Sequence, residues 1–265
     1  MWAVLHWTFW QRRWSTLWWC TGVSSFIILS LSFYASFRDQ AVQLNEVLSR
    51  LPNAAHALIS DTTDFLTPEG FLSARLFYLL LPLLLSILAI GLGSSLIAKE
   101  EDRGTLEVLL SRPVSRVKLL AGKALAGLII VLAVSLVSLI TAVVVCRLVK
   151  LEVAFDRIIL ATLLSTLLAL VFGVIAFAVA AHGRARAASV GIATLFGIAS
   201  YLISSLDEVV EVLRFPAKLL PYHYYRPGEV LVGNFNWRFV TILVSVIAVL
   251  ILFSFLSFRQ RDLND

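Results

Sequence analysis

Long apolar runs alternate with short polar ones along this chain. Leu76–Ala98 carries no charged residue, and neither does Ala124–Cys146. Such runs match the ~20 residues a helix needs to cross a bilayer. Extended along the chain, the pattern predicts six transmembrane helices, at about 17–37, 71–98, 121–146, 158–181, 187–206 and 239–258. The expected fold class is an all-α membrane protein, with residues 1–265 forming a single transmembrane domain.

The remaining segments have patterns of their own. Ala3, Trp7, Trp10, Trp14 and Leu17 form one helical stripe, with Thr8, Gln11, Arg12, Ser15 and Thr16 opposite. That predicts an N-terminal interfacial amphipathic helix. Span 1 reads as a retained anchor: its apolar core is too long for a signal peptide, and no convincing small-x-small cleavage site follows. In 38–75, Leu44, Val47, Leu48, Leu51, Ala55, Leu58 and Ile59 share a face, divided by Pro52. One or two external amphipathic helices are expected there, then a turn at Thr67-Pro-Glu-Gly70. In span 2, Pro82 marks a kink, and Gly91 and Gly93 mark close helix contacts. Residues 207–236 are expected to form external half-helices before span 6, broken at Pro216 and Pro221. Tyr222-His-Tyr-Tyr225 reads as an aromatic belt at the interface.

The densest charge lies between spans 2 and 3, in Lys99–Lys118. Glu100, Glu101 and Asp102 come first, and Arg112, Arg116 and Lys118 last. Gly104 breaks the incoming helix, and Thr105 caps a new one with Glu107 in its first turn. Leu106, Leu109 and Leu110 give that short helix an apolar stripe, and Pro113 opens the next. The segment fits either a solvated loop or a docking element, with leucines for a groove and charges for register.

Composition agrees with the pattern. The chain is 59% hydrophobic and 15% charged, with mean hydropathy +0.89, which no soluble domain of this length shows. The net charge of +5 raises nucleic acid as a partner. The basic residues sit at span ends, however, where they orient helices, so no nucleic acid is expected. They are dense at 12–13, 99–123, 184–186 and 259–261, and sparse over the longer segments opposite. Both termini are therefore placed in the cytoplasm, in a multi-pass protein of the inner (cytoplasmic) cell membrane. Cys20 and Cys146 fall on opposite sides of the bilayer, and the four histidines show no metal-ligand spacing.

The chemistry is mostly exclusion. No charge lies in the middle of any span, which argues against an ion-coupled carrier. The mid-span hydroxyls, such as Ser24, Ser135, Thr141, Ser165 and Thr166, read as glue between helices. Gly122-Lys123 lacks the rest of a phosphate-binding loop. With no energy source of its own and a docking-like helix, the chain points to a separate ATPase.

The run Glu101-Asp-Arg-Gly-Thr-Leu-Glu-Val-Leu-Leu-Ser-Arg-Pro-Val-Ser-Arg116 resembles the signature of ABC-2-type permeases, in the branch of the bacitracin-resistance and nitrous-oxide-reductase maturation permeases. Thr67-Pro-Glu-Gly-Phe71, Gly122-Lys123-Ala124 and Pro221-Tyr-His-Tyr-Tyr225 also match the usual pattern. The resemblance implies the transmembrane subunit of an ATP-binding-cassette exporter, non-catalytic, with a cytoplasmic coupling helix after Gly104. It implies an ABC ATPase in two copies carrying ATP and Mg, and a second permease chain as homodimer or heterodimer. It also implies a path lined by spans 2 and 5 and closed outside by the half-helices. The expected docking residues are Glu100, Glu101, Arg103, Gly104, Thr105, Glu107, Leu109, Leu110, Pro113 and Arg116. An uncharged path suits a hydrophobic or amphipathic cargo such as a drug, peptide antibiotic or lipid. The alternative is a non-transporting anchor or assembly subunit for a partner complex.

Overall fold

The computed structural model describes residues 2–34, 67–97 and 116–260. Among the described residues six helices are long and apolar enough to cross a membrane: Leu5–Ser32, Pro68–Ser95, Val117–Leu148, Phe155–Ala181, Arg186–Leu206 and Trp237–Arg259. Each overlaps one predicted span, and they are called spans 1 to 6 below. The external amphipathic helices expected before span 2 fall at 35–66, outside the described residues.

Two expected boundaries move. The Trp-rich N-terminus is not set off from span 1; one continuous helix runs Trp2–Ser32. No proline, and no glycine before Gly22, interrupts its hydrogen-bond ladder. Thr67-Pro-Glu-Gly70 begins span 2 instead of turning ahead of it. Thr67 is the N-cap, its hydroxyl accepting from the Gly70 N–H at 3.1 Å, and Pro68 takes the first helical position.

Span 2 is interrupted once. A π-helical turn, Ser73–Phe77, joins the helix Pro68–Leu72 to the helix Leu80–Ser95. Within the turn the Tyr78 N–H reaches back five residues to the Ser73 carbonyl, at 2.7 Å. Pro82 has no N–H for the Tyr78 carbonyl four residues earlier, so that oxygen needs another donor.

Spans 2 and 4 are the most buried, and span 4 is the hub, touching spans 2, 3, 5 and 6. Spans 2 and 4 press backbone against backbone. A Cβ at Gly93 would lie 2.1 Å from the Gly173 carbonyl oxygen, and one at Gly173 would lie 2.8 Å from Ala89 Cβ. Small residues permit this approach, which lets dispersion hold helices where lipid offers no hydrophobic drive. Among the described residues Gly91 has nothing within 4 Å of its would-be Cβ, and only Gly93 of the expected pair is a contact point there. Two residues apart on a helix, they point to different faces.

Hydroxyls join the other spans. Ser24 and Thr141 meet at 3.0 Å between spans 1 and 3, and Ser135 bonds Thr166 between spans 3 and 4. Leu128, Leu132, Leu136, Ile140, Val144 and Leu148 form an exposed stripe along span 3, the kind of face a helix turns to acyl chains. Before span 6 the chain makes four short helical turns: Glu211–Leu213, Arg214–Ala217, Pro221–Tyr224 and Pro227–Val232. Pro216 lies inside the second, within a first turn, where an N–H would have no partner inside that helix. Pro221 opens the third.

Candidate functional site

The ends of the spans define the geometry. At one end, here the lower, Leu96, Ile97, Leu120, Phe177, Ala180, Ala181 and Phe258 close over the tips of spans 2, 3, 4 and 6. From this end the chain leaves span 2 and re-enters as span 3. Glu100, Glu101, Arg103, Gly104, Thr105, Glu107, Leu109, Leu110 and Pro113 lie outside the described residues. Arg116, the last of the expected docking residues, opens the span 3 helix.

The two sides of that segment are bolted together. The Lys123 ammonium, 5% exposed, donates to the Leu96 carbonyl at 2.7 Å. Leu96 is the C-cap of span 2, where carbonyls have no helical partner and the dipole is negative, so a buried cation is stabilised there. Arg12, from span 1, donates to Ser95 Oγ at 2.6 Å, and that hydroxyl donates to the Gly91 carbonyl at 2.6 Å. Two cations from two spans thus hold the last turn of span 2.

The upper end is polar and aromatic. Tyr78, Tyr201, Tyr222 and Tyr225 make a chain of edge-on rings with centroids 6.1, 5.2 and 5.4 Å apart. Tyr222 and Tyr225 are buried, so they are not belt residues. The Tyr222 hydroxyl donates to the Tyr78 carbonyl, and the Tyr225 hydroxyl to the Phe77 carbonyl. Tyr225 also meets Ser165 of span 4 at 2.7 Å, the Tyr222 N–H donates to Ser200 Oγ at 3.1 Å, and the Tyr78 hydroxyl donates to Ser205 Oγ at 2.9 Å. The interruption in span 2 is therefore filled by side chains from the turns before span 6.

Charges surround this lock. His223 Nδ1 lies 2.9 Å from Asp207 Oδ2. Arg157 Nη1 donates to the Leu231 carbonyl at 2.9 Å and lies 3.7 Å from Glu69. Gly233, at φ 109°, closes the turn beside that guanidinium. Burial works against the charge of Arg226, but the hydrogen bond it donates to Glu229 and the carboxylates of Glu229, Glu208 and Asp207 outweigh it and raise its pKa. Among the described residues no group of three or more His, Cys, Asp or Glu is placed to hold a metal ion.

The family model described as ABC-2 family transporter protein matches residues 2–263. The chain belongs to the ABC-2 transporter family. The sequence of this permease matches no curated protein. Membership implies an ATPase partner and a bilayer setting for the permease, and it agrees with the six spans and with the resemblance read from residues 101–116.

The sequence did not single out the roles of Tyr78, Tyr222 and Tyr225 in the permease. The signal was present: a proline well inside an apolar span frees a carbonyl, and a distant Tyr-x-x-Tyr, at 222–225, supplies donors. What was missing was the fold that brings residues 78 and 222 together.

Proposed function

We propose that the permease is the membrane subunit of an exporter, driven by ATP hydrolysis on a separate ATPase that docks at residues 99–116. The observation that carries this reading is the bond from Lys123 to Leu96. It ties the exit of span 2 to the entry of span 3, so a push on the intervening segment would move both spans as one body. Span 2 then runs to the interruption that Tyr222 and Tyr225 fill at the upper end. One helix thus connects the proposed motor contact to a polar lock on the far side. Such a lever suits alternating access, with the lower end cytoplasmic and the upper end outside.

In this reading Glu100, Glu101, Arg103, Gly104, Thr105, Glu107, Leu109, Leu110, Pro113 and Arg116 make the docking contacts. ATP and Mg sit on the partner, which is present in two copies, and a second permease chain completes the transporter. The cargo is hydrophobic or amphipathic, in keeping with spans whose middles carry no charge.

The test is purification of the tagged full-length chain from its native membrane in mild detergent. A nucleotide-hydrolysing companion should co-purify and drive ATP-dependent loss of an amphipathic dye from vesicles. A chain that comes alone, with residues 99–116 labelled only from outside the cell, overturns the proposal.

A further inference from the structure

A cleft of about 380 Å³ lies between spans 2, 3, 4 and 6, in the lower half of the bundle. Its walls include Leu92, Leu125, Leu128, Phe177, Ile251 and Phe255. The small residues that close the contact of spans 2 and 4, Gly93 and Gly173, form its back. It is partly open, and its lining includes Leu128, one of the exposed stripe along span 3. We propose that this cleft holds one acyl chain of a phospholipid from the leaflet at the lower end, with Arg259 at its headgroup.

Three observations support that occupant. The volume is in the range of small-molecule sites, ~300–1,000 Å³, and the named walls are hydrocarbon or aromatic. An apolar void open to the bilayer is bathed by acyl chains, and one left empty forfeits dispersion contacts along its lining. The depth also fits. Ile247, Ile251 and Phe255 line the cleft at four-residue spacing along span 6, and exposed Arg259 is the next position on that side. From Ile247 to Arg259 the rise is about 18 Å, close to the ~15 Å of one hydrocarbon leaflet. The guanidinium therefore sits where a phosphate would lie above a chain reaching Ile247, and it suits that group in charge and geometry.

The inference needs only that the helices span a bilayer, so it stands or falls apart from the ATPase reading. The test uses the full-length chain alone, in vesicles of phosphatidylcholine and phosphatidylglycerol. These are doped with a phosphatidylglycerol that carries a diazirine midway along one chain. After illumination, adducts on Leu125, Ile251 and Phe255 should exceed those on Leu195, which sits on the exposed face of span 5, by several-fold. Arg259→Gln, at an exposed position, should lower the cleft adducts several-fold and leave labelling by a diazirine diacylglycerol, which lacks phosphate, unchanged. Ala124→Phe should abolish cleft labelling by both probes, and if that variant does not fold, Arg259→Gln still decides. Cleft labelling no higher than at Leu195, labelling indifferent to Arg259→Gln, or adducts to a second copy of the chain would each overturn the proposal.

Discussion

Tyr222 donates its hydroxyl proton to the carbonyl of Tyr78, the oxygen to which Pro82 has no N–H to offer. The two residues are 144 positions apart, so the break in span 2 is completed only by the tertiary fold. Tyr222→Phe should destabilise the permease by roughly 1–3 kcal/mol, the penalty for an orphaned buried acceptor. Pro82→Ala supplies an N–H to the same oxygen and should recover much of that loss in the double variant. Thermal unfolding in detergent for the four members of the cycle checks this. Effects that simply add, within about 0.5 kcal/mol, would show that Tyr222 and Pro82 do not share the carbonyl.

Gly93→Ala places a methyl 2.1 Å from the Gly173 carbonyl oxygen. Backbone cannot step aside as a side chain can, so spans 2 and 4 must separate. The expected loss is at least roughly 1–3 kcal/mol, seen as a lower yield of monodisperse protein in size-exclusion chromatography. Gly91→Ala meets nothing within 4 Å among the described residues and should be neutral, or stabilise by up to about 1 kcal/mol through helix propensity. Equal behaviour of the two variants would contradict the packing.

Lys123→Met keeps the side chain as far as Cε and deletes the cation. A hydrogen bond from a charged donor contributes about 1.5–3 kcal/mol, and its loss should show first as faster amide exchange in the last turn of span 2. If the staple transmits force, ATP turnover by the complex should continue while transport falls. A variant that loses neither protection nor coupling would remove Lys123 from the proposed lever.

Leu110→Ala and Glu107→Lys probe the docking segment itself. Both should lower co-purification of the ATPase and transport together, while leaving thermal unfolding of the spans unchanged. Wild-type transport by these variants would place the ATPase contact elsewhere.

The spans were legible because each is built on a long uncharged run, a property of local sequence alone. The hydroxyl links were legible as a class, yet pairings such as Ser24 with Thr141 depend on which helices become neighbours. Gly93 and Gly91 look alike in a window of sequence. The four-residue step from Ala89 to Gly93 separates them, because it puts two small residues on one face. The pair His223 and Asp207 has no spacing signal, since a folded connection brings it together. Thr67 was misread because the same Thr-Pro-Glu run suits a turn and a helix start, and only the bond to Gly70 distinguishes them.

Helices in van der Waals contact through side chains can slide by changing rotamers. The meeting of Gly93 with Gly173 leaves no such bearing surface. Spans 2 and 4 therefore move as one welded body, and the rest of the conformational travel falls to parts that swing against it. Spans 5 and 6, the two with the least of their surface enclosed, are the freest to do so.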